Sequence, residues 1–215
     1  MQNVRIFFKK VDRAKYISHL DMTRLFQRAV RRSGITMWYT EGFHPHLYMT
    51  FALPLSLGTE SNCESVDMRL IDDITLAEVK DRLNAVLPVG IEVTEVSEPL
   101  MKASLITSSQ YLVRLNGAAS KKAVMEEFLA QDEIMAIKKG KAGEKLVNIK
   151  NFVYGYEVNT DGNDLCLWLN LASGNEKTLN PQLLLSVFSD KHNVSVEGAF
   201  ILRCKVLCEN GKEFK

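Results

Sequence analysis

The chain has 215 residues, 46% apolar and 25% charged, with a net charge of +1 at neutral pH, which is ordinary globular usage and enough for one large or two small domains. No run approaches the ~18 consecutive apolar residues of a membrane span. The N-terminus MQNVRIFFKK also lacks the apolar stretch of a signal peptide, so the expectation is a cytoplasmic protein with no membrane partner. The four cysteines, Cys63, Cys166, Cys204 and Cys208, include no C-x-x-C pair, which argues against a zinc ribbon or thioredoxin-type motif and for reduced, mostly buried thiols. The small net charge hides an asymmetry. Residues 1–36 carry nine basic groups against Asp12 and Asp21, a local +7, and the remainder of the chain sums to −6. Such an end attracts a polyanion or is simply a solvated face.

In chain order, VRIFFKK (4–10) reads as a strand and Ser18 to Arg32 as a helix. TMWYT (36–40) and part of LYMTFAL (47–53) are strand-like, and CESVDMRL (63–70) alternates as a strand. TLAEVKDRLNAVL (75–87) places Leu76, Val79, Leu83, Val86 and Leu87 on one helical side, and IEVTEV (91–96) closes as a strand. The order β-α-β-β-α-β is the ferredoxin-like signature.

The second half repeats that order. SQYLVRLN (109–116) is a strand and SKKAVMEEFLAQ (120–131) a helix. FVYGYEVN and DLCLWLNLA form a hairpin around TDGND, followed by PQLLLSVFSDKH (181–192) as a helix and AFILRCKVLCE (199–209) as a last strand. Asn180 followed by Pro181 is a sound helix start. The fold expected is therefore α+β, two tandem ferredoxin-like halves with antiparallel sheets. They cover residues 1–98, with the SHLD and GFHPH motifs, and 108–215, joined near SEPLMKASLITS (97–108).

The segment Ile17 to Phe51 holds three of the four histidines. Ser18 and Asp21 form an S-x-x-D capping box, and Ile17 and Met22 stand where a hydrophobic staple closes the first turn. Met22, Leu25, Phe26 and Ala29 recur at i, i+3, i+4 and i+7 and face a sheet, which turns Arg24, Arg28, Arg31 and Arg32 outward before Gly34 ends the helix. A solvated face does not require arginine. Guanidinium groups pair bidentately with phosphates and stack on bases, so these four, with Lys15, are candidate RNA contacts, and Trp38, Tyr39 and Phe43 are candidate stacking platforms.

His19 takes the first helical position and is a candidate acceptor, base or ligand, against the plainer alternative of a ring bonded to a loop carbonyl. EGFHPHLYMTF adds Glu41, His44 and His46, with Pro45 stiffening the chain between the two rings. His19, His44, His46 and Asp21 or Glu41 would meet around a metal only if this loop folded back onto the helix start. No fixed zinc spacing is present, so neither a metal nor a cofactor is expected.

The series K-x-x-x-x-x-Y-I-S-H-L-D-x-x-R-x-F-x-R-A-x-R-R-x-G, from Lys10 to Gly34, is followed by Y-x-E-G-F-H-P-H, F-A-L-P-L-x-x-G-x-E-S and E-x-V-D. Together they resemble the bacterial radical-SAM-linked protein family, of uncharacterised function. The likeness is specific over residues 4–96 and fainter through LVNIKNFV (146–153) and FILRC (200–204); Leu47 stands where the family shows a second proline. The resemblance implies association with a radical-SAM protein, fused or separately encoded, often near genes for RNA processing and ribosomal proteins. Radical chemistry in this chain is not implied, because Cys204 and Cys208 lack the third cysteine of a cluster motif.

Three functions remain open. One is a noncatalytic accessory that binds RNA or a ribonucleoprotein and presents it to the radical-SAM partner. Another is a metal-independent endoribonuclease, similar at fold level to CRISPR repeat-processing RNases, with His19 or His44 as the base and Arg24 or Lys15 stabilising the phosphorane. The third is a protein-interaction module using GFHPH and exposed aromatics.

Overall fold

The structure, a computed structural model, describes residues 1–140, 143–174 and 177–215. It is a mixed α+β chain with mostly antiparallel pairing, divided into two compact units: residues 1–103 with 215, and residues 104–214. No helix among the described residues is long and apolar enough to cross a membrane.

The first unit runs β1 (Gln2–Lys10), α1 (His19–Ser33), β2 (Met49–Phe51), β3 (Glu60–Leu70), α2 (Leu76–Asn84) and β4 (Ile91–Ser97). Its strands lie in the order β4-β1-β3-β2, every neighbour antiparallel. Alternation along β1 sends Val4, Ile6 and Phe8 into a core with Val66, Met68 and Leu70 of β3, and both helices close that side through Met22, Phe26, Ala29, Val30, Val79 and Leu83. Phe26 is the centre of the α1 contact, its ring 4.9 Å from that of Phe8 and 5.9 Å from that of Phe51. On the other side of the sheet Arg5, 1% exposed, makes a two-pronged bond to Asp67 at 2.7 and 2.8 Å and donates to the Lys215 carbonyl at 2.9 Å.

The second unit runs β5 (Ile106–Leu115), α3 (Lys122–Ala130), β6 (Met135–Gly140), β7 (Gly143–Asn148), β8 (Val153–Asp161), β9 (Asp164–Ala172), α4 (Pro181–His192) and β10 (Phe200–Cys208). Strands β10-β5-β9-β8 make one antiparallel sheet, and β6 and β7 pair separately as a hairpin. Leu165, Leu167, Leu169 and Leu171 alternate inward from β9 and meet Met125, Phe128, Leu184 and Phe188 of the two helices. Asn180 caps α4 by accepting the Gln182 amide at 3.0 Å, with Pro181 at the first position.

Two local expectations change. Residues 36–40 contribute only single bridges, Met37 to Leu70 and Tyr39 to Leu47, because the segment crosses the end of β3 and then pairs with its own return. The β6–β7 hairpin was not expected between the third helix and the strand that follows it. Its apolar residues Met135, Ile137 and Leu146 are exposed while Ala136, and Ile134 just before it, are buried, so apolar side chains occupy both faces and the period-two signal vanishes.

Candidate nucleic-acid interface

Helix α1 begins where Ser18 Oγ accepts the Asp21 amide at 3.1 Å. The second arm differs from the usual box: the Asp21 carboxylate takes the Ser18 hydroxyl at 2.7 Å rather than a backbone N–H. That hydroxyl bond, followed by the Arg24 and Arg28 charges, holds the Asp21 carboxyl below its ordinary range. Gly34 ends the helix at φ 68°, left-handed backbone that glycine adopts without cost.

Arg24, Arg28 and Arg31 stand exposed along the outer side of this helix. Arg24 pairs with Asp21 at 3.2 Å, and Arg31 reaches the Tyr39 hydroxyl at 3.5 Å. Arg28 makes no hydrogen bond or ion pair among the described residues, and its charge falls on the same acidic neighbour, Asp21. Arg32 is occupied differently, donating to the Val86 carbonyl at 2.9 Å and so tying α1 to the end of α2.

The chain after α1 turns back on itself. Thr40 N–H bonds the His46 carbonyl at 2.8 Å and Tyr48 N–H the Trp38 carbonyl at 3.1 Å, which leaves residues 41–45 as a projecting tip. Gly42 at φ 118° makes that turn. Phe43 at its apex is fully exposed, 101%, flanked by exposed Glu41 and His44. His46 orders the tip: its Nδ1 lies 2.9 Å from Thr40 Oγ1 and 3.2 Å from the His44 carbonyl oxygen.

Alternation separates the aromatic candidates. Tyr39 packs toward α1, whereas Trp38 meets Tyr48 edge to face, centroids 5.6 Å apart, and Arg69 lies over both rings at 4.7 and 4.6 Å. Met68 and Leu70 face the helices, so Arg69, and with it Trp38, occupies the opposite side of the sheet from the arginine row.

His19 does not meet His44 or His46. Its ring sits edge-on to Phe51 at 5.1 Å, at the rim of a pocket that Lys10 and Glu64 also line. That pocket, about 20 Å³, has room for one water. Lys10 and Glu64 are only 4% and 5% exposed, and the Lys10 ammonium donates to the Ile17 carbonyl at 2.8 Å. Neither is assigned to a site from the sequence. The pattern nevertheless carries a signal, because Lys10 continues the inward series Val4, Ile6, Phe8, and Glu64 precedes Val66 and Met68 on the same face, so two charges occupy core positions. Lys15 is paired with Glu60 at 3.2 Å beside an open cleft bordered by Asp12, Arg13, Tyr16 and Val89. Among the described residues no group of three or more His, Cys, Asp and Glu is arranged to hold a metal ion.

The chain belongs to the family described as "Uncharacterized protein conserved in bacteria (DUF2344)", whose model matches residues 3–181. No curated protein matches it. Among solved structures it is similar to a chain of "Crystal Structure of a Cbf5-Nop10-Gar1 Complex", at 11% identity and a TM-score of 0.51, over 94% of this chain and 48% of that one. This chain thus spans about half the length of that relative, and the likeness is one of fold. It is also matched, at 10% identity and a TM-score of 0.28, to "Crystal Structure of an Unknown Protein from Galdieria sulphuraria", over 93% of this chain and 95% of that one.

Proposed function

We propose that this member of a bacterial family is a cytoplasmic, radical-SAM-associated accessory protein that binds RNA or a ribonucleoprotein substrate for a partner enzyme. The observation that carries the reading is the exposed row Arg24, Arg28 and Arg31, in which Arg28 has no hydrogen-bond or ion-pair partner among the described residues. A row of guanidinium groups with one short acidic neighbour suits a run of phosphates. Tyr39 beside Arg31 extends that surface, and exposed Phe43 and His44 on the projecting tip of the segment that follows offer further groups that stack on or bond to bases. Both units are read as ferredoxin-like, a reading supported by element order β-α-β-β-α-β and strand order 4-1-3-2 in each, the second carrying an inserted hairpin. Association with a radical-SAM protein rests on the motifs from Lys10 to Asp67.

Pull-down of the tagged full chain from bacterial cells, with and without RNase, tests this reading. RNA is expected in the untreated sample, with a radical-SAM protein retained after digestion. Recovery of neither rejects the accessory role.

One observation favours a second reading, endoribonuclease: His19 shares its pocket with buried Lys10 and Glu64, a base candidate beside an acid and a cation. In that case purified protein cuts RNA in excess EDTA, His19→Ala stops the cutting, and a 2′-deoxy residue at the cut site blocks it. RNA left intact under these conditions removes the reading.

A further inference from the structure

On the second unit's sheet, the face turned away from the helices carries an aromatic and amide cluster that the arginine row leaves unexplained. Across β8, β9 and β5 the register aligns Gly155, Asn170 and Gln110 in one row and Glu157, Trp168 and Leu112 in the next. Cross-strand partners point to the same side, so these two rows form one surface. Gly155, Glu157, Trp168, Asn170 and Gln110 border a pocket of about 360 Å³, within the size range of small-ligand sites.

Three details indicate that the pocket is built for an occupant. Trp168 sits in the middle of an interior strand yet remains 44% exposed, its ring beside the pocket. The side-chain amide of Asn170 makes no hydrogen bond among the described residues, its oxygen being buried, so its N–H groups are not committed within the fold. Gly155 lies outside the left-handed region, so its backbone does not demand glycine; a Cβ there would meet only the Asn170 Cβ, at 3.9 Å. What the position contributes is the absence of a side chain over the pocket floor.

We propose that this pocket binds one guanine base, stacked on Trp168 over Gly155. The base lays its flat face against the indole, and Glu157 accepts the two adjacent N–H groups of its Watson–Crick edge. The side-chain N–H groups of Gln110 and Asn170 donate to O6 and N7, which are acceptors only. A carboxylate at the rim repels phosphate, so the pocket reads a base rather than the backbone. Tyr156 also borders the pocket, but it pairs with core-facing Leu169 and its ring carries the Lys150 ammonium, so one indole wall remains, not the cage that recognises a cationic side chain. The inference extends the RNA reading to a second surface and rests on it for the polymer, but not for the base.

The chain has two tryptophans and six tyrosines, so in a Trp38→Phe background of the full-length protein, excited at the red edge where tyrosine does not absorb, Trp168 alone reports. Titration with guanosine monophosphate is expected to quench that emission saturably, with adenosine and cytidine monophosphates at least about tenfold weaker, as loss of a bidentate edge predicts. Ribose 5-phosphate should leave it unchanged. Gly155→Leu, which fills the floor, and Glu157→Gln, which removes the double acceptor, should each weaken the guanine nucleotide by about tenfold or more. The circular dichroism of both variants should match the parent. Absence of saturable quenching, quenching unaltered in both variants, or saturation by arginine amide in place of the nucleotide overturns the proposal. Replacing Arg24, Arg28 and Arg31 by Gln should leave this quenching intact, so failure here and failure of the α1 surface are separate results.

Discussion

Truncating Phe26 to alanine lowers stability by about 3–5 kcal/mol, the range for a fully buried phenylalanine. The ring is fully buried, tilted against Phe8 and edge-on to Phe51, which anchors α1 to the sheet at the middle of its length. The loss adds the transfer free energy of a buried aromatic to the cavity left against Phe8 and Phe51, side chains of a sheet that has little freedom to collapse. It should appear as a lower urea midpoint at an unchanged slope. A loss under about 1 kcal/mol would mean that α1 is not held as described. The consequence reaches function, because Arg24, Arg28 and Arg31 share a surface only while this helix is docked.

Replacing those three arginines together by glutamine has the opposite profile, with a small effect on stability and a large one on RNA affinity. Each neutralised phosphate on a single strand contributes about −0.7 to the slope of log affinity against log salt, so losing three contacts should flatten the slope by about 2. Arg32 is left in place because it bonds the Val86 carbonyl. Ser18→Ala serves as the converse control, costing about 1 kcal/mol through its lost cap while leaving the salt slope as it was. An unchanged slope in the triple variant, or no RNA binding by the parent at low salt, contradicts the assignment of phosphate contacts to this helix.

The start and end of α1 are readable from sequence because Ser18, Asp21 and Gly34 act locally, through a cap and a left-handed residue. The start of α4 at Asn180 and Pro181 is readable for the same reason. The separation of Trp38 from Tyr39 is not, since it depends on which side of the sheet a short bridged segment presents, and residues 36–40 make too few ladder bonds to fix that by pattern. Likewise the purpose of His46 depends on Thr40 meeting it across the loop tip. Alternation does point to Lys10 and Glu64 as charges on an apolar face, but their shared pocket with His19 requires α1 to lie over the ends of β1 and β3. The open face of the second unit is missed because Trp168, Asn170 and Gln110 read as ordinary outward positions until the register aligns them over Gly155.

The claim that the outer side of α1 carries the RNA is tested most directly by ultraviolet crosslinking of the purified full chain to single-stranded RNA, with the modified peptides mapped by mass spectrometry. Crosslinks are predicted on peptides spanning residues 19–33 and 39–46, and they should disappear at high salt as the phosphate contacts are screened. Crosslinks confined to other segments, or none at any salt concentration, would contradict it.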